Sequence, residues 1–141
     1  MEFENEIGLI QRRMAASIAG TLRRLEILNS LNIQSGQHVL DIGCGGGHLL
    51  EEIAKAVGPE GKAYGLDTSE DQLKQAKKRC SLYENVFTIK GYANQISLEN
   101  DSCDSICSVQ TFEYIDNVDD SIKELTRILK SSSIFVNISI L

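Results

Sequence analysis

The chain has 141 residues, 42% of them hydrophobic and 24% charged, the size and composition of one domain with a buried core. Its formal charge of -6 argues against a basic face for nucleic acid or anionic membrane. No apolar run approaches the ~20 residues of a membrane span and no signal-peptide pattern opens the chain, so a cytoplasmic protein is expected.

In chain order, residues 4 to 32 place Ile7, Ile10, Met14, Ile18, Leu22, Leu25, Leu28 and Leu31 at helical spacing. Arg12, Arg13, Arg23 and Arg24 fall largely off that stripe. Gly20-Thr21 reads as a break between two helices, with Thr21 capping the second. The second is expected to pack on a sheet and the first to act as a lid. Residues 1–34 then form a helical segment ahead of a domain over 35–141.

His38-Val39-Leu40-Asp41 is a short apolar run ending on a carboxylate and reads as a buried parallel strand. The glycine cluster Gly43 to Gly47 follows, and Leu49, Leu50, Ile53, Ala54 and Val57 mark an amphipathic helix behind it. Strand, glycine turn and helix together bring backbone amides and a helix N-terminus up against a ligand. Gly58-Pro59-Glu60-Gly61 stops that helix. Gly61 to Asp67 is a second strand ending on a carboxylate. Ser69 and Gln72 have the spacing of a capping box for a helix to about Ser81, with Leu73, Ala76 and Cys80 inward and Lys74, Lys77, Lys78 and Arg79 outward.

Asn85 to Lys90 reads as a third strand, a loop runs from Gly91, and Asp104 to Gln110 is a fourth strand. Asp116 to Asp120 opens a helix that buries Ile122, Leu125, Ile128 and Leu129. Ser131-Ser132-Ser133 is expected to turn into a fifth strand from Ile134 to Ile140; either the sequence is a fragment, or this strand is left as an exposed apolar edge. Strands alternating with helices specify an α/β fold, a Rossmann-like doubly wound parallel sheet. Cys44, Cys80, Cys103 and Cys107 form no C-x-x-C pair, so no metal is expected and they read as buried free thiols.

Spacing decides the ligand. A dinucleotide fingerprint needs a third glycine where His48 stands; the pattern here is Asp41-x-Gly43-x-Gly45-x-Gly47. A carboxylate at the strand tip repels a pyrophosphate and suits an ammonium group, and Asp67 suits two ribose hydroxyls. An amino acid carrying a ribose is S-adenosyl-L-methionine.

On these residues the chain resembles the class I S-adenosylmethionine-dependent methyltransferases of the ubiquinone/menaquinone-biosynthesis type, often called type 11. The helix Glu124-Leu125-Thr126-Arg127-Ile128-Leu129-Lys130 is similar to the family's E-L-x-R-x-L-K segment. The resemblance implies a seven-strand sheet in the order 3-2-1-4-5-7-6, of which five strands are present. It implies that Asp41 orients the cofactor's amino group, that Gly43, Cys44, Gly45 and Gly47 approach it by backbone, and that Asp67 holds the ribose. Thr68, Gln72, Ala93 and Asn94 would line the adenosine, and Gln110 the methyl-transfer cleft. Tyr92 stands where the family has an adenine-binding aspartate, and Tyr114 where it has a histidine. The implied reaction is in-line methyl transfer to a small-molecule acceptor with no covalent intermediate and no assigned catalytic residue. The alternative is a truncated, non-catalytic module that binds S-adenosylmethionine or a protein partner.

Overall fold

The computed structural model describes residues 2–15, 17–109 and 115–138. Strands β1 (His38–Ile42), β2 (Lys62–Asp67), β3 (Val86–Lys90), β4 (Cys103–Val109) and β5 (Leu129–Ile138) form one sheet in the order β3-β2-β1-β4-β5. Every pairing is parallel. The doubly wound sheet read from the alternation of elements is therefore the fold observed. The winding reverses between β1 and β4, which opens a crevice at the carboxyl ends of the strands.

The helices are α1 (Glu2–Ala15), α2 (Ile18–Leu31), α3 (His48–Val57), α4 (Glu70–Arg79) and α5 (Val118–Ile128). One face of the sheet is covered by α2, α3 and α4 through Ile27, Leu31, Leu50, Ile53, Val57, Leu73 and Ala76. The other carries α5 and the loop after β3, through Leu125, Ile128, Ala93 and Ile96. Alternation along β1 sends Val39 to the first core and Leu40 and Ile42 to the second. Leu50, Ile53 and Val57 are fully buried, each worth roughly 1.5–3 kcal/mol of transfer free energy. None of the described helices is long and apolar enough to cross a membrane.

Four local expectations give way to the structure. The first helix ends at Ala15 and the second begins at Ile18, so the break does not fall at Gly20-Thr21. Ser17 is extended and its Oγ accepts the Gly20 N–H at 3.2 Å, so Ser17 is the cap, while the Thr21 hydroxyl donates back to the Ser17 carbonyl at 3.1 Å. The apolar stripe of the first two helices is largely outward: Ile10, Met14, Ile18, Leu22 and Leu25 are exposed, and Ile27 and Leu31 do the burying. Ile122 is likewise exposed, because α5 turns Ser121, Leu125 and Ile128 to the sheet.

The serine run is not a turn. Leu129 is already extended and pairs with Cys103, while Ile134 pairs with Ser105, so residues 130 to 133 bulge opposite Asp104. Lys130 meets the Asp104 carboxylate at 3.1 Å within that bulge. Asp104 also accepts the first amide of β1, from His38, at 2.7 Å.

The matched Glu124-to-Lys130 helix has a definite mechanical task. Arg127 pairs with Glu124 and donates to the carbonyls of Leu98 (2.8 Å) and Ile96 (3.0 Å), and Glu124 accepts the Ile96 N–H at 2.6 Å. Charge-assisted bonds thus fasten the loop after β3 to α5.

Candidate functional site

A cleft of about 1430 Å³ lies between the carboxyl ends of the strands and the α1–α2 pair. Its floor is the glycine loop. Gly43, Gly45 and Gly47 all have positive φ (72°, 54° and 88°), a left-handed backbone that side chains other than hydrogen rarely adopt. The Gly43 and Cys44 amides donate to the Leu66 carbonyl at 2.7 and 3.0 Å, which pins the loop across the tip of β2.

Asp67, at that tip, holds the loop from the other side. Its Oδ2 accepts the Gly45 N–H and its Oδ1 the Ser69 N–H, each at 2.9 Å. Each oxygen keeps a further lone pair for a ligand donor. Ser69 caps α4 by accepting the Gln72 N–H at 3.3 Å, but the return arm of the expected capping box is absent: Asp67 takes the Ser69 amide. The Gln72 side chain is released to other work. Its Nε2 donates to Gln11 on α1 at 3.2 Å, and its Oε1 is buried without a donor among the described residues.

Asp41 is 3% exposed in the cleft floor. Burial pushes its carboxyl from the ordinary 3.8 up to about 7, the Cys107 thiol 3.6 Å away opposes that, and the Asp67 charge adds to it. A carboxylate so placed is short of a positive partner. Cys44 turns its sulfur down onto β2, 2.9 Å from where a Gly65 Cβ would sit, and so meets the cleft by its backbone. Burial pushes all four thiols, at Cys44, Cys80, Cys103 and Cys107, upward, and all four are free. They are poor nucleophiles at neutral pH.

The structure brings Asp41, Gly43, Cys44, Gly45, Asp67, Thr68, Gln72, Ala93 and Asn94 to the lining of this one cleft. Gly47 faces elsewhere: a Cβ there would stand 2.8 Å from Ala76 Cα, so this glycine lets α3 and α4 close on each other. Gly47→Ala is expected to cost about 2–4 kcal/mol, from the left-handed backbone and the clash together, measured by urea unfolding. A loss under half a kcal/mol would mean that neither constraint is real. Gln110 and Tyr114 lie outside the described residues. Tyr92, at the rim, is exposed.

Some cleft residues went unread in the sequence. Arg12, Arg13, Arg23 and Arg24 line the wall made by α1 and α2. Arg79, expected in solvent, donates from Nε to the Gly46 carbonyl at 3.1 Å. The spacing of Gly20, Arg23, Arg24 and Ile27 on one helix face was the available signal, but nothing local says which face a helix turns inward.

Known proteins resemble this chain in sequence and in fold. The family model described as "Methyltransferase domain" matches residues 33–141. The demethylmenaquinone methyltransferase of Geobacillus stearothermophilus is 34% identical over 115 residues, 80% of this chain and 49% of that protein. That of Staphylococcus aureus strain JH9 is 29% identical over 113 residues, 80% of this chain and 47% of that protein. The chain thus spans about half the length of the curated relatives it matches. A solved SAM-dependent methyltransferase from Aquifex aeolicus superposes with a TM-score of 0.74 at 28% identity, covering 80% of this chain and 62% of that one. A Methanococcus maripaludis structure shares the fold at a TM-score of 0.81 and 22% identity, over 94% of this chain and 62% of its own.

Proposed function

The chain belongs to the methyltransferase domain family that its residues 33–141 match, and from that premise we propose that it binds S-adenosyl-L-methionine in the cleft and serves methyl transfer to a small-molecule acceptor. The observation that carries the reading is the pair of carboxylates flanking the glycine loop, Asp41 buried beneath it and Asp67 bonded to it.

The residues fit the group. Asp41 has the burial and the unmet charge that an α-ammonium would satisfy. Asp67 retains one lone pair on each oxygen for a ribose diol. Gln72 Oε1, buried and without a donor among the described residues, lies 3.8 and 3.7 Å from where Cβ atoms on Gly45 and Gly46 would stand, an acceptor turned toward the loop. Thr68, Ala93 and Asn94 are assigned to the adenosine, with Gln110 at the transfer cleft. When bound, the sulfonium supplies a methyl group already activated for displacement.

The chain's own contribution is therefore position. Asp41 and Asp67 orient the two ends of one ligand, the loop backbone seats it, and α1–α2 roof it against water. In this reading residues 1–34 are the lid and packing segment and 35–141 the cofactor domain. The cytoplasm is the compartment that suits four free cysteines.

Titration calorimetry with S-adenosylmethionine, S-adenosylhomocysteine and NAD tests the reading. Binding of the first two in the micromolar range, and none of NAD, is expected. A folded sample that binds neither adenosyl ligand would leave the loop as scaffold only.

A further inference from the structure

Helices that pack on a sheet ordinarily turn apolar side chains in and charges out. The α1–α2 pair does the reverse over the cleft. Ile10, Ile18, Leu22 and Leu25 are 52–83% exposed and lie outside the cleft, while Arg12, Arg13, Arg23 and Arg24 line it beside Ile7, Met14 and Ile27. These are four of the chain's six arginines, gathered on one wall of a protein whose net charge is -6.

Arg12, Arg13 and Arg23 make no ion pair among the described residues. Arg24 donates to Thr21 Oγ1 at 3.2 Å, and burial lowers its pKa. The acids that share the cleft are Glu4 on α1, Asp41 and Asp67 in the floor, and Glu70, Asp71 and Asp116 on the rim. None of these six is paired with Arg12, Arg13 or Arg23 among the described residues, and Glu70 is taken by Lys90 at 3.6 Å.

We propose that this wall recognises an anionic group, a carboxylate or phosphate, on the methyl acceptor. The proposal deepens the methyltransferase reading, and the word acceptor rests on it. The cofactor's single carboxylate suits Arg12 at most, whose stem lies 3.7 Å from where a Gly46 Cβ would stand, over the glycine loop. Arg13 and Arg23 remain, one from each helix, both on the lining of the same cleft. Guanidinium groups match the oxygens of carboxylate and phosphate through charge-assisted bonds.

The test is binding of benzoate and phenyl phosphate against neutral benzamide, followed by NMR titration with and without S-adenosylhomocysteine. The expected result is a preference of about tenfold or more for the anions, the scale of a charge-assisted bond. The double variant Arg13→Gln/Arg23→Gln should erase it while S-adenosylhomocysteine affinity stays within about twofold. The charge-reversed pair Arg13→Glu/Arg23→Glu should instead favour benzylamine, a gain that unfolding cannot mimic.

Equal binding of anion and neutral isostere by the unsubstituted chain overturns the proposal. So does an anion preference that survives both double variants, or a loss confined to S-adenosylhomocysteine. Failure of S-adenosylhomocysteine to bind the unsubstituted chain overturns the methyltransferase reading instead. The anion preference is read independently on the ligand-free protein.

Discussion

Asp41→Asn is expected to raise the stability of the ligand-free chain at pH 8 while removing most of its affinity for S-adenosylmethionine. The two effects have one cause. The Asp41 carboxyl, pushed to about 7 by burial, is ionised at pH 8 with a thiol as its side-chain donor and the Asp67 charge nearby. An amide of the same shape carries no charge to desolvate.

The sign of the pH dependence follows. Between the unfolded value of 3.8 and the folded value near 7, the folded chain holds a proton that the unfolded chain has released. Stability therefore falls as pH rises from about 4 to about 7 and levels off above, by at most about 4 kcal/mol from this group. In Asp41→Asn that decline disappears.

In the proposed binding mode cofactor affinity runs the other way, because there the ammonium pairs with the ionised Asp41 carboxylate. Affinity is expected to rise about tenfold per pH unit up to about 7 and to turn over near 8, where an α-amino group loses its proton. Urea unfolding at pH 5 and pH 8, with calorimetry across the same range, reads both effects. Parallel stability profiles for the two proteins would refute the buried-charge account. Unchanged affinity in the variant would remove Asp41 from the ligand.

Asp67→Ala is the second large effect: S-adenosylhomocysteine affinity is expected to fall by roughly 100- to 1000-fold, the value of two charge-assisted contacts. The loss has two sources, since this carboxylate also holds the Gly45 and Ser69 amides. A 2′,3′-dideoxy analogue separates them. If Asp67 holds the ribose, removing the hydroxyls costs the unsubstituted chain most of what Asp67→Ala costs, and adds little in the variant. If the analogue loses the same factor in both proteins, Asp67 serves the loop alone.

The elements that line the cleft were the most legible. His38 to Asp41, the glycines and the helix from Leu49 each carry a strong local signal, and two parallel strands that each end on a carboxylate put Asp41 and Asp67 at the same edge of the sheet. The five strands and their parallel order followed from the alternation of elements, since right-handed crossovers leave few arrangements. The helix that carries Glu124 and Arg127 was legible as a motif. Its task was not, because its partners Ile96 and Leu98 lie across a loop that sequence cannot orient.

The places that misled have a common physics. An apolar stripe says that a helix has a face, not what that face meets: Ile10 to Leu25 carry the stripe, but Ile27 and Leu31 are the residues that reach the core. Ser17 and Thr21 are both able caps, and the choice between them depended on where the chain bends away from α1. The serines after Lys130 lack any turn-forming glycine, and pairing with β4 drew them into an irregular strand.

The sequence by itself determined the fold class, the loop and the two carboxylates, because those depend on backbone conformations and side-chain alternation encoded within a few residues. Only the tertiary structure decided that Asp41 is desolvated, that Gly47 faces Ala76, and that arginines wall the cleft. Burial, close approach and charge environment are sums over residues distant in the chain, and those distances close only when the sheet and its helices assemble.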